Sequence, residues 1–340
     1  MNPLKLILKS LSSLVFISAM FWLVTNSKLT IYLVKMGIHQ SDFILNSVPV
    51  EKMLCDPNIP VNIRDRLLLC DSICEFSTMT LGYSPTRNFQ SFYDQRNKPK
   101  LWVISACKPY SFDSFYWEFP LLGKVPYKGY FVFEEAWKEF LRLRGLGYDT
   151  DISHVSAWST LGWLPDPLLS TMLYRSKGDF VNLLLHELFH ATYYAKGTVE
   201  VNENLADFFA HKGTILFLSK DSSSLGFYIS RHLDDSIYNA YLFRSGKKLD
   251  SLYKSCKSND SNAVFLKKVN LLRTIFQQAE HLRLSDNKRF KRANQEILLF
   301  KNSFFMQVKR YDGLYDSLNH VLDLRFSGNL KMMILDLTKK

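Results

Sequence analysis

His186-Glu187-Leu-Phe-His190 sets two imidazoles and a carboxylate within five residues, and Glu203 and Asp207 follow after a short break. Histidines four residues apart on a helix stand one above the other on the same face, so both rings can reach one ion. The glutamate between them is turned aside toward a water on that ion, which is the H-E-x-x-H arrangement. The spacing to the later carboxylates carries as much information. A first helix over about 179–195, broken at Lys196-Gly197, lets a second helix beginning near Thr198 return beside it. His190 and Glu203 are equidistant from that step, and so are His186 and Asp207. Residues equidistant from a hairpin apex lie level with each other. The expected site is therefore one Zn2+ ion held by His186, His190 and Glu203, with Glu187 as general base. Asp207 accepts the proton of the His186 ring nitrogen that does not bind metal.

The first of these helices is apolar nearly all round, through Phe180, Val181, Leu183, Leu184, Leu185, Leu188 and Phe189. Two histidines and a glutamate are costly in such a setting without a partner, and a metal ion supplies one. The five cysteines are an odd number with no C-x-x-C pair, so a cysteine-based zinc site lacks its spacing. With 47% hydrophobic and 14% aromatic residues the chain is globular rather than disordered. Its formal net charge of +11 is scattered, with only short clusters such as Lys288-Arg-Phe-Lys-Arg292, so it reads as a solvated basic face and no nucleic-acid partner is expected.

The remaining elements must hold that hairpin. Residues 1–28 form a signal peptide or an N-terminal membrane anchor, with Lys5 and Lys9 leading an apolar run from Leu11 to Val24. No Ala-x-Ala-like cleavage site closes the run, which favours an uncleaved anchor, the catalytic part lying outside the cytoplasm on the periplasmic side; a cleaved terminus would leave a secreted protein. Residues 29–340 form the catalytic domain: a mixed α/β part over 29–175, the metal-binding hairpin over 176–218 and a helical part over 219–340. Patterning predicts a helix over 63–79, strands over 101–106, near 130 and over 148–158, and a helix over 134–144, giving one small mixed sheet. Helices are expected near 213–219, 223–244, 262–282, 288–309 and 311–324, with joins such as Ser245-Gly246. The fold class is α+β with a largely helical C-terminal half.

The run Val125-Pro-Tyr127-Lys-Gly129-Tyr130-Phe131, then Ser159-Thr160-Leu-Gly162-Trp163 and Asp166-Pro167-Leu-Leu-Ser170-Thr171, then the hairpin, resembles a bacterial zinc aminopeptidase family over roughly residues 45–215, with a weaker echo near Leu318-Asn319. The resemblance implies a zincin-like fold, export and membrane association, with His186, His190 and Glu203 at the metal positions and Glu187 as the catalytic carboxylate. It also implies a peptide or protein substrate. The aminopeptidase label rests on that resemblance alone. Tyr127, Tyr130 and His154 are candidates for an oxyanion or substrate donor, and Glu118, Asp166 and Glu200 could seat an α-ammonium by chain position only. The competing reading is a membrane-anchored, non-enzymatic binding or assembly protein with a structural or vestigial zinc site.

Overall fold

The computed structural model describes residues 27–96, 101–119, 123–154, 164–195, 198–256, 261–299, 301–308 and 314–339. The apolar run over 11–24, the stretch 155–163 and the hairpin apex 196–197 lie outside them. Among the described residues no helix is long and apolar enough to cross a membrane. The chain divides after Asn46 into two compact units, the first containing helix α1 (Ser27–Leu45).

The second unit opens with β1 (Val48–Pro49), α2 (Val50–Leu54) and α3 (Val61–Met79), followed by β2 (Ser91–Tyr93) and β3 (Trp102–Cys107). Next come β4 (Trp117–Phe119), β5 (Gly123–Val125), β6 (Tyr127–Tyr130), α4 (Phe133–Gly145), β7 (Asp149–His154) and β8 (Leu168–Leu169). Strand β3 pairs antiparallel with β6 on one side and β7 on the other, so Trp102 lies opposite both Tyr130 and His154. Helix α4 carries the chain over β3, and its buried Ala136, Phe140 and Leu143 follow one another along one helical face. Glu134 and Glu135 in its first turn and Arg142 and Arg144 in its last complement the helix dipole.

Among the described residues, the single mixed sheet expected from the sequence is three small sheets. The largest helix-covered one is wholly antiparallel, β4 and β5 form a separate ribbon, and parallel pairing occurs where β2 meets β8 beside β1.

A 3-10 turn at Ser170–Tyr174 leads into α5 (Lys177–Thr192) and α6 (Val199–Phe217), the hairpin. Helix α5 starts where the Ser176 hydroxyl accepts the Asp179 N–H at 3.2 Å, an N-cap. It stops at Thr192 rather than near 195 because Asn202, buried in α6, accepts from the Ala195 N–H at 2.9 Å and donates to the Ala195 carbonyl at 2.8 Å. These two bonds hold the connection out of helix. The hairpin core is aromatic: Phe180, Phe189, Phe208 and Phe209 are fully buried, and Phe189 stacks on Phe209 with centroids 4.9 Å apart. Helix α3 packs on the outer side of α5, where Arg66 donates to the Arg175 carbonyl at 2.8 Å.

Helix α7 (Ser222–Ser255) crosses the start of α5 so closely that a Cβ on Gly178 would sit 2.6 Å from the Tyr228 Cβ. Gly178→Ala is expected to destabilise the protein by about 1–3 kcal/mol through overpacking, seen as a lowered thermal midpoint. The helices α8 (Ser261–Glu280), α9 (Asn287–Ile297) and α10 (Asn302–Val308) close a second core with α7, built on Tyr238, Leu249, Leu272, Ile275, Phe290 and Phe305. Helices α11 (Tyr315–Phe326) and α12 (Leu330–Thr338) then pack on α6. Buried Lys268 of α8 reaches Asp149 of β7 at 3.2 Å and the Pro109 carbonyl at 3.0 Å, and Asp149 also accepts the Asn302 N–H at 2.6 Å. Burial pushes the Asp149 carboxyl up and the Lys268 ammonium down, each opposed by the other's charge.

Candidate metal centre

Helix α5 brings the His186 and His190 Nε2 atoms to 3.1 Å from each other, and α6 lays Glu203 across both. One Glu203 oxygen lies 3.3 Å from His186 Nε2 and the other 3.7 Å from His190 Nε2. Four tetrahedral ligands at zinc bond lengths of about 2.0–2.1 Å stand roughly 3.3 Å from one another. The separations, which involve both Glu203 oxygens, lie near that value, so the two imidazoles and the carboxylate are close enough to share one ion. These are the three side chains that could hold a metal among the described residues. Nitrogen and carboxylate donors in that geometry suit zinc.

On the other edge of the His186 ring, Nδ1 donates to Asp207 Oδ1 at 2.8 Å. That bond fixes the tautomer and leaves Nε2 facing His190 and Glu203. Asp207→Asn is expected to weaken metal affinity about 10–100-fold with the fold intact, measured by competition with a chromogenic chelator.

Burial alone would lower the His186 pKa, but the hydrogen bond and charge of Asp207, with Glu203 beside it, hold it well above the usual imidazole range. Burial would likewise raise Glu203, yet the two imidazoles hold it far below the ordinary carboxylate range. Without metal, Asp207 and Glu203 thus favour the protonated form of the His186 imidazole, and the imidazoles the ionised form of Glu203. An ion must displace the His186 proton, so metal affinity rises with pH until pH passes the raised His186 value, by up to about tenfold per unit. Titration calorimetry at pH 7 in buffers of different ionisation enthalpy is expected to show release of about one proton per ion from His186. Glu187 is also raised, first by burial and then by Glu203 and Asp207, with the imidazoles opposing.

Of the other residues singled out in the sequence, Tyr127, Tyr130 and His154 lie on the antiparallel sheet around β3. Tyr130 is buried opposite Trp102, and the His154 ring sits 6.0 Å from Trp102. Glu118 is exposed on the β4–β5 ribbon and pairs with Lys124 at 3.3 Å. Asp166 is buried with its backbone N–H on Asn88, and Glu200 is exposed in the first turn of α6. None of these is joined to His186, His190 or Glu203 by the contacts described for the centre.

Tyr194 lies within electrostatic reach of the centre: burial raises its pKa, and so does the Glu203 charge. Its spacing, four residues beyond His190, was the available signal. A second imidazole pair, missed for want of any local motif, stacks His211 on His232 with centroids 3.7 Å apart. The Tyr228 hydroxyl joins His211 Nδ1 at 2.9 Å and accepts from Asn182 at 3.0 Å.

Against this geometry, the model of a family described as "Putative aminopeptidase" matches residues 31–333. The chain belongs to this family. The match runs well past the 45–215 marked by the sequence motifs and takes in the helical C-terminal part as far as the first turn of α12. No curated protein and no solved structure matches the chain.

Proposed function

We propose that the protein is a zinc-dependent, zincin-like aminopeptidase. The observation that carries the metal assignment is the convergence of His186 Nε2, His190 Nε2 and the Glu203 carboxylate, near enough to share one ion. Family membership supports peptide hydrolysis and the aminopeptidase label. When bound, the ion supplies Lewis acidity to a water and to a carbonyl oxygen.

The chain's own residues do the rest. Asp207 holds the His186 ring in the metal-binding tautomer. Glu187 accepts a proton from the attacking water at its carboxylate and passes that proton to the leaving amine nitrogen. Its raised pKa brings it closer to neutrality, where such a shuttle works in both directions. The Tyr194 phenol stays protonated and offers a hydroxyl donor within electrostatic reach of Glu203. Export belongs to the same reading and rests on the apolar run led by Lys5 and Lys9.

Metal analysis of the wild type and His186→Ala, alongside a peptide screen with free and blocked N-termini, tests the proposal. The expected result is about one zinc per wild-type chain, none in the variant, and cleavage that requires a free N-terminus. Equal cleavage of blocked peptides would replace the aminopeptidase label with an endopeptidase one. A zinc-loaded protein that turns over no peptide would remove the enzymatic reading.

A further inference from the structure

The two helices of the hairpin form a ladder whose levels can be counted. His190 stands level with Glu203 and His186 with Asp207, each pair equidistant from the Lys196-Gly197 step. The next level away from that step, four residues or about 6 Å along each helix, pairs Asn182 of α5 with His211 of α6. Between them stands a side chain from outside the hairpin. The hydroxyl of Tyr228, on α7, lies 3.0 Å from Asn182 Nδ2 and 2.9 Å from His211 Nδ1.

Packing leaves Tyr228 little room to move. The residue is buried, and its side chain lies so close over Gly178 that a Cβ there would come within 2.6 Å of the Tyr228 Cβ. One turn along α7, His232 stacks on the His211 ring with centroids 3.7 Å apart, so α7 grips His211 by an edge and by a face. Arg231 adds an ion pair to Asp179 of α5 at 3.0 Å. The metal centre is therefore bracketed by two ties. On the side of the connection, Asn202 bonds the Ala195 backbone; on the other side, Tyr228 joins α5 to α6. The 2.8 Å hydrogen bond from His186 to Asp207 lies one level from the Tyr228 tie. Without that hydroxyl, Asn182 and His211 lose their shared partner, and the two helices must re-seat to satisfy both polar groups.

We infer that Tyr228 is a positioning residue for the metal centre: by bridging Asn182 and His211 it sets the spacing of α5 and α6 at the adjoining level, where Asp207 orients His186. The inference deepens the metallopeptidase reading and rests on its metal site. It makes α7, from the helical C-terminal part, a contributor to that site.

The test measures zinc affinity of the full chain by chelator competition, for wild type, Tyr228→Phe, Asp207→Asn and the double variant. Tyr228→Phe is expected to weaken zinc about three- to tenfold, and to add nothing in the Asp207→Asn background, because it acts through that residue. Tyr238→Phe is the control. It deletes another buried hydroxyl bond of α7, to Asn294 Oδ1 at 2.9 Å in the second core, and should lower the thermal midpoint comparably with zinc affinity unchanged. Should Tyr228→Phe fail to fold, Asn182→Ala unties the same hydroxyl from the α5 side and is read in the same way. Wild-type affinity in the Tyr228 variant, the same loss in both aspartate backgrounds, or an equal loss in Tyr238→Phe overturns the inference and leaves the metal reading standing. A wild type that binds no zinc removes the metal reading, and proton NMR of the metal-free protein then decides the inference. The His186 Nδ1–H held on Asp207 should give a downfield signal that is lost or shifted in Tyr228→Phe and kept in Tyr238→Phe. A signal unchanged in Tyr228→Phe overturns the positioning role.

Discussion

Glu187→Gln is expected to lower kcat/KM by about 10²–10⁴-fold while zinc content stays at the wild-type level. The amide keeps the volume and shape of the carboxylate, and Glu187 is not one of the three donors, so the ion's seat is untouched. What disappears is the group that takes and returns a proton. A second readout follows from the environment of the residue. Burial raises the Glu187 pKa, and a base works only when ionised, so the acid limb of the wild-type kcat/KM profile should fall above the unperturbed glutamate value of about 4.3. Activity is lost as pH drops through that limb, and Glu187→Gln should flatten it. Full activity in this variant would assign the proton transfers elsewhere, and loss of zinc would show that Glu187 helps to hold the ion.

The largest stability effect is expected at Phe189→Ala, about 3–5 kcal/mol, measured by chemical denaturation. Phe189 is fully buried between the helix of His186 and His190 and its return partner, stacked on Phe209 and edge-on to Tyr83 with centroids 5.7 Å apart. Removing the ring leaves a cavity beside His190, the most deeply buried of the three donors. Because metal binds only the folded hairpin, excess zinc should recover part of the loss in proportion to RT ln(1 + [L]/Kd). A penalty below 1 kcal/mol would mean that the hairpin core collapses around the gap.

Counting outward from Lys196-Gly197 was enough to pair Glu203 with the histidines and Asp207 with His186, because helical periodicity and the level rule need no tertiary information. The same count was blind to Asn202, whose amide ends α5 three residues early, since a cap made from a distant side chain leaves no local pattern. Ser245-Gly246 was expected as a join, yet α7 runs through it to Ser255. There the Ser245 hydroxyl bonds back to the Tyr241 carbonyl at 2.9 Å, and a Cβ on Gly246 would meet the Phe305 Cβ at 3.7 Å. Small residues at that point admit a neighbouring helix and do not break their own. The reverse error falls at 288–309, where one helix was expected and two are found. Asn302 is drawn to Asp149 and to the Lys108 and Pro109 carbonyls, contacts separated by more than 150 residues and thus invisible to periodicity. The Tyr228 bridge had no sequence signature either, for its hydroxyl comes from a helix outside the hairpin.

The buried lysine and aspartate that join β7 to α8 have a bearing on how this chain can be taken apart. Excising the C-terminal helices would remove Lys268 and Asn302, two of Asp149's partners, and uncover the side of β3 and β7 on which α10 packs. A minimal fragment trimmed to the hairpin and its sheet would thus expose strand surface that the whole chain covers, and the distal helices are better regarded as integral scaffolding than as a detachable accessory module.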